Sequence, residues 1–221
     1  VLPCTACEVQ KAIGAEGAVC FDLQAACTGF IFAYNTAQAY IQSNMCRTVL
    51  LIGSERLSRL VDWTDRGTCI LFGDGAGAAV LKAAEGRAYL PVSHSDGKKG
   101  EALTCDRYIH MDGRAVFQFA VTRVPEVIRE VLTKNELLMD DIDYFVLHQA
   151  NRRIVEAVAK RLRQPIEKFP MNLQEYGNTS SASIPILLDE MNRSGKLKKG
   201  QKLVVAGFGA GLSWGASIIE W

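Results

Sequence analysis

One order of elements occurs twice in this chain, and that repeat limits the folds open to it. The stretch "CTGFIFAYNTAQAYIQS…RTVLLIG" reads as helix, turn and apolar strand, and "NTSSASIPILLDEMNRSG…KLVVAGFG" reads the same way. A helix that is apolar nearly all round, or a strand of continuous apolar residues, must be covered on both sides. Alternating strands and helices of this kind predict an α/β layered fold with mostly parallel sheets. Two similar halves should face each other, with Cys27 and Asn178 in matching places at the heads of the repeated helices. A site between the halves could then use both helix heads.

The other elements follow from local pattern. Helices are expected over residues 4–13, from Cys27 to about Gln42, from about Arg114 to Lys134, from Asn151 to Leu162 and from near Thr179. Pro125 lies inside the third and should kink it. Strands are expected over Ala18–Leu23, over "TVLLIG" (48–53, buried on both faces), over "YFVLH" (144–148) and as a glycine-punctuated pair at the C-terminus. The run "TCILFGDGAGAAVL" (68–81) reads as two strands around a tight turn at Asp74-Gly75. Its glycines mimic part of a dinucleotide fingerprint, but a strand follows them where that motif needs a helix. Residues 92–107 read as a polar loop.

Composition closes off other classes. With 221 residues, 48% of them hydrophobic, the chain can build a large core. Its 25 basic and 24 acidic residues leave a net charge of +1, which argues against wholesale nucleic-acid binding. No apolar run reaches the ~18 residues that would span a bilayer, and the first residues do not read as a signal peptide. Seven cysteines without secretory features point to free thiols in a reducing cytoplasm. Cys4 and Cys7 form a C-x-x-C pair, but no second pair stands at zinc spacing, so no metal is expected. The chain starts without methionine and reads as a fragment or a processed product.

Three residues stand out chemically. Cys27 lies where an apolar segment enters a helix; it is either a small buried hydrophobe or a nucleophile whose thiolate the helix N-terminus favours. His148 ends an apolar strand, where ligand sites in α/β sheets gather, and reads equally as a structural histidine. Asn178 reads alone as a helix cap. Together they offer a nucleophile, an imidazole and a neutral hydrogen-bond donor. His94 and His110 lie in or beside polar stretches and read as solvated.

Five motifs in order, "DLQAACTGF", "DRGT…LFGDGAGAAVL", "HQANRRI", "GNTSSASIP" and "GFGAGLSWG", resemble the β-ketoacyl-[acyl-carrier-protein] synthase III family along nearly the whole chain. The resemblance implies a thiolase-like layered fold of two pseudo-repeated halves, the first incomplete here because the family's N-terminal strands and helices have no counterpart before Val1. The implied division is 1–91 for the rest of the N-terminal half, 92–113 for a connecting loop and 114–221 for the C-terminal half. The loop around 97–108 is shorter than usual in the family.

The implied activity is decarboxylative condensation. Cys27 takes an acyl group from acyl-coenzyme A, and malonyl-carrier protein then loses carbon dioxide and attacks the thioester to give 3-oxoacyl-carrier protein. The matching positions make Cys27, His148 and Asn178 the catalytic set. Backbone N–H groups of Cys27 and Ala210 form the oxyanion hole, and Phe208 leaves the malonyl carboxylate poorly solvated.

Arg66 and Arg153 match positions that contact the adenine and phosphate end of coenzyme A. Arg152, Arg153, Lys160 and Arg163 share an arc of roughly 100° on the helix after His148. With Arg161, they form a basic surface for coenzyme A or an acidic carrier protein. Gln118 stands where some relatives have a docking lysine. Leu2 matches a residue that closes the acyl pocket of a homodimer partner. No cofactor is implied, because coenzyme A thioesters are substrates.

Elongating condensing enzymes use Cys-His-His, and degradative thiolases need a second cysteine that "GFGAGLSWG" lacks. A plant-type (type III) polyketide synthase, which shares Cys-His-Asn, and a non-catalytic acyl-carrier-binding homologue remain as alternatives.

Overall fold

The computed structural model describes residues 2–221. In chain order the elements are α1 (Thr5–Ile13), α2 (Gly29–Gln42), β1 (Thr48–Arg56), β2 (Asp74–Lys82), β3 (Val92–Ser95), β4 (Leu103–Cys105), β5 (Ile109–Met111), α3 (Gly113–Lys134), β6 (Tyr144–Leu147), α4 (Arg152–Leu162), α5 (Leu173–Tyr176), α6 (Ser183–Arg193), β7 (Lys202–Gly209) and β8 (Ser213–Glu220). Short 3₁₀ turns at Ala26–Thr28 and Ser180–Ala182 lead into α2 and α6. The expected helices form; α3 runs on through Pro125 as one helix.

The molecule is layered. A four-stranded sheet in the order β3-β8-β7-β6 carries α3 and α4 on one face and α2 and α6 on the other. Its strands are apolar on both faces because each face meets a helix: seven of the eight residues of β7 are buried. One cluster joins Val124, Ile128, Phe145 and Val158 on the α3/α4 side, and another joins Phe30, Ile31, Ile184 and Leu203 on the α2/α6 side. Beyond α2 and α6 lies the antiparallel pair β1-β2.

That pair departs from expectation. The "TVLLIG" run is not buried on both faces: Leu51 and Gly53 point to the helices, while Leu50 and Ile52 are exposed. The helices cover one face only, so burial alternates with the pleat. Residues 68–81 form no hairpin either. Residues before Asp74 turn irregularly, Phe72 bridges to Asn178, and only Asp74–Lys82 forms a strand, pairing with β1. The Asp74 carboxylate accepts hydrogen bonds from Ser58 N and Oγ at 2.8 and 2.6 Å, tying it to the end of β1 instead of to a turn. Ala18–Leu23 is not a strand, because no strand among the described residues pairs with it.

The stretch 92–107, expected as a loop, contains β3, which pairs with β8, and the start of the small β4-β5 ladder. The sheets are not mostly parallel: β6-β7 is the parallel strand pair, and the other ladders run antiparallel.

The internal repeat is real, but its register differs from the sequence reading. Ala26 (φ 47°) and Ser180 (φ 50°) open the two 3₁₀ turns, and Gly29 and Ser183 open the two helices. Cys27 therefore matches Ser181, and Asn178 sits two residues before its turn. The helix-head sequences differ enough that apolar pattern alone could not set this register.

Candidate active site

Three elements converge on the turn before α6. His148 follows β6, and its N–H donates to Ala206 O at 2.9 Å, which extends the β6-β7 pairing by one residue. Cys27 lies in the turn before α2, against the end of β7. The glycines of β7 permit this approach: a Cβ on Gly207 would lie 2.9 Å from His148 Cβ, and one on Gly209 2.8 Å from Cys27 N. Asn178 is held beside Phe72, its N–H donating to Leu71 O at 2.8 Å.

Serines of the "SSAS" turn join the three. The Ser180 side chain neighbours the Cys27 thiol and acts to lower its pKa. Ser180 N–H donates to Asn178 Oδ1 at 2.9 Å, so the Asn178 amide N–H₂ points elsewhere as a donor. Ser183 Oγ lies 2.8 Å from His148 Nδ1 and accepts from Gln149 N–H at 3.2 Å. While accepting that bond the Ser183 hydroxyl can also donate to Nδ1, an arrangement compatible with the ring proton on Nε2. Ser180, Ser183, Gln149 and Glu55 were not anticipated from sequence. The polar run "SSAS" was visible, but serines at a helix head read as caps.

The site is dry. Cys27, His148 and Asn178 are 9%, 3% and 8% exposed. Burial pushes the Cys27 thiol up to about 11, with Glu55 raising it further and the Ser180 side chain working against the shift. Of the two sequence readings of Cys27, burial is observed, and it opposes the thiolate that a helix head would favour. Burial also holds the His148 imidazole down to about 4, opposed by the Ser180 backbone, so the ring is neutral at pH 7.

Phe208 is buried and meets the His148 ring edge-on, with centroids 5.7 Å apart. Ala210 follows Gly209, the last residue of β7, whose backbone closes against Cys27 N. Among the described residues, neither the Cys27 nor the Ala210 N–H has a backbone acceptor outside its own element.

The basic candidates are not part of this buried cluster. Arg66 is exposed on a turn braced by Asp62 and Asp65, which accept from Thr64 N and Gly67 N at 2.9 and 2.8 Å. Arg152, Arg153, Lys160 and Arg161 are exposed on α4, and Arg163 follows it in a left-handed conformation. Arg152 is engaged locally, its Nε donating to Glu156 Oε1 at 2.7 Å. Leu2 is 94% exposed. Among the described residues, no cluster of three or more His, Cys, Asp or Glu could hold a metal ion, and no helix is long and apolar enough to cross a membrane.

Residues 21–97 match the family described as 3-oxoacyl-[acyl-carrier-protein] synthase III, and residues 132–221 match its C-terminal part. The chain is 48% identical to β-ketoacyl-[acyl-carrier-protein] synthase III of Clostridium novyi, over 100% of this chain and 73% of that protein. The chain belongs to the β-ketoacyl-[acyl-carrier-protein] synthase III family. Its counterpart in Acaryochloris marina is 50% identical over 98% of this chain and 71% of the relative. Among solved structures, the synthase III from Aquifex aeolicus superposes with a TM-score of 0.95 at 44% identity, covering 98% of this chain and 72% of that one. These likenesses establish the thiolase-like α/β fold and a condensing enzyme of the synthase III type. They do not favour the type III polyketide synthase or the non-catalytic homologue.

Proposed function

We propose that the chain acylates Cys27 from a short acyl-coenzyme A and condenses that acyl group with malonyl-carrier protein, releasing carbon dioxide. The observation that carries this reading is that one serine-rich turn engages His148 at Nδ1 and Asn178 at Oδ1 beside a buried thiol, so that His148 Nε2–H and the Asn178 amide N–H₂ can serve as neutral donors. In the first half-reaction the Cys27 sulfur bonds to the acyl carbon, the bond to coenzyme A breaks, and the Cys27 proton leaves with the coenzyme A thiol. Backbone N–H groups of Cys27 and Ala210 are suited to the oxyanion of that step.

In the second half-reaction the malonyl C–C bond breaks, and the electron pair moves into an enolate. Its oxygen needs donors and no nearby base. A His148 that stays neutral meets this need, with Asn178 as the second donor. Phe208 keeps water from the departing carboxylate. The enolate then attacks the Cys27 thioester, and the released sulfur regains a proton.

Arg66, Arg153, Lys160 and Arg161, with Arg152 in part, are assigned to the coenzyme A phosphates and the carrier protein. The chain is read as two thiolase-like halves, 1–91 and 114–221, meeting at the site, and as a cytoplasmic homodimer in which Leu2 bounds the partner's acyl pocket. No cofactor is required by this chemistry. The test separates the half-reactions: acyl-enzyme by intact mass, then carbon dioxide release on adding malonyl-carrier protein. Acylation without condensation in the wild type would contradict the proposal.

A further inference from the structure

Glu55 lies one residue before the end of β1, half-buried and outside the set of residues assigned above. Its Oε1 accepts from Ser181 Oγ at 2.6 Å and from Ser181 N at 3.3 Å. Ser181 is the middle residue of the turn whose neighbours bond the site residues: Ser180 N–H donates to Asn178, and Ser183 Oγ meets His148. The same residue touches the Cys27 side of the molecule, because a Cβ on Gly29 would lie 3.1 Å from Ser181 Cβ. From β1, Gly53 brings its backbone so close that a Cβ there would stand 2.8 Å from Ser181 O. The turn opens with Ser180 at φ 50°, a conformation that a non-glycine residue holds only under outside constraint.

We propose that Glu55 is a positioning residue, which, through Ser181, locks the Ser180–Ser183 turn so that Ser180 stays on Asn178 and Ser183 on His148. The reasoning is geometric. A carboxylate oxygen taking both an N–H and an O–H from one residue fixes that residue's backbone and side chain together, and such charge-assisted bonds are stronger than neutral ones. The inward face of β1 is thereby tied to both halves of the pseudo-repeat at one point. A second consequence follows from charge. Glu55 raises the Cys27 thiol, so the residue that orders the turn also disfavours a free thiolate before substrate arrives.

This inference rests on the condensing-enzyme reading, and its test has a readout that does not. Iodoacetamide alkylation of Cys27 is followed against pH, alongside self-acylation and condensation rates, for wild type, Glu55→Gln, Glu55→Ala and Ser181→Ala. The Glu55→Gln amide oxygen can still accept from Ser181 but carries no charge. Its alkylation midpoint should fall by about half a pH unit, and alkylation at pH 8 should quicken roughly threefold, while both half-reactions stay within about threefold of wild type. Glu55→Ala should lose about tenfold or more in kcat for both half-reactions, with KM for acyl-coenzyme A little changed.

Ser181→Ala keeps the charge and loses the shorter bond. It should lose several-fold in kcat with an unmoved alkylation midpoint, and it decides the matter if Glu55→Ala does not fold. Wild-type kcat in Glu55→Ala or in Ser181→Ala would overturn the proposal. So would a Glu55→Gln enzyme as slow as Glu55→Ala with an unmoved midpoint. Failure of the wild type to form any acyl-enzyme would instead defeat the condensing-enzyme reading, and the alkylation profiles would still report on Glu55.

Discussion

The turn before α2 and the turn before α6 share a backbone and differ in everything attached to it. Each opens with a non-glycine residue at positive φ, Ala26 at 47° and Ser180 at 50°, and each feeds a helix that packs between the two sheets. The first turn is dry and carries one reactive group, the Cys27 thiol. The second carries Ser180, Ser181 and Ser183, with Asn178 just ahead of it, and bonds to His148, Asn178 and Glu55 engage those serines. A repeated unit has thus been divided into a turn that buries a thiol and a turn whose serines hold an imidazole and an amide. The difference lies in side chains, since the backbone already supplies the close approach.

The largest expected effect comes from the contact between the first turn and β7. Gly209→Ala places a Cβ 2.8 Å from Cys27 N and 2.9 Å from Thr28 N, both backbone atoms that cannot swing aside. Acyl-enzyme formation should drop by about 10²-fold or more, with a lower thermal midpoint as the turn is displaced. Stopped-flow or quenched intact-mass measurements read the rate. A Gly209→Ala enzyme of normal rate would mean that this turn does not need its present position.

The second turn is broken next. His148→Ala and Asn178→Ala should slow carbon dioxide release from malonyl-carrier protein by about 10²- to 10³-fold and slow self-acylation less. Equal loss of both half-reactions in Asn178→Ala would reduce it to a structural cap.

Stability against pH distinguishes the turns from the other direction. The His148 pKa falls from 6.5 unfolded to about 4 folded, so the unfolded chain takes up a proton first. The contribution is fully present above about pH 6.5 and is lost as pH falls toward 4, some ~3 kcal/mol in all. The Cys27 pKa rises from 9.0 to about 11, so its contribution is present below pH 9 and is lost as pH rises toward 11, again ~3 kcal/mol. Urea denaturation across pH should show both limbs. His148→Gln should flatten the acid limb and Cys27→Ser the alkaline one; limbs unchanged by these substitutions would contradict the burial argument.

The smallest effect lies outside both turns. Arg153→Ala should raise KM for malonyl-carrier protein several-fold in a salt-dependent way, and Arg152→Ala less, because Arg152 already pairs with Glu156. Equal effects of the two, or none at high and low salt alike, would remove α4 from the docking surface.

Much of this comparison was legible in the sequence, for physical reasons that can be named. The "KLVVAGFG" run is buried on both faces and could be recognised as such, because helices cover both. The chemically similar "TVLLIG" run was misread, since nothing in its composition says that, among the described residues, helices cover only one of its faces. Cys27, His148 and Asn178 could be picked out as residue types at element ends. The pKa of Cys27 could not, because its direction depends on how tightly β7 closes over the turn. Glycine spacing hints at that closure but does not measure it. Ser183 was present in a quoted motif and still missed, since its partner His148 is 35 residues away along the chain.

The central claim is that the dry turn, and no other part of the chain, carries the acyl group. Intact-mass and peptide analysis after incubation with short acyl-coenzyme A tests it most directly. The account predicts one acyl group per chain, on Cys27, and none in Cys27→Ala. An acyl group mapped to Cys46, Cys69 or any of the other cysteines, or retained in Cys27→Ala, would contradict it.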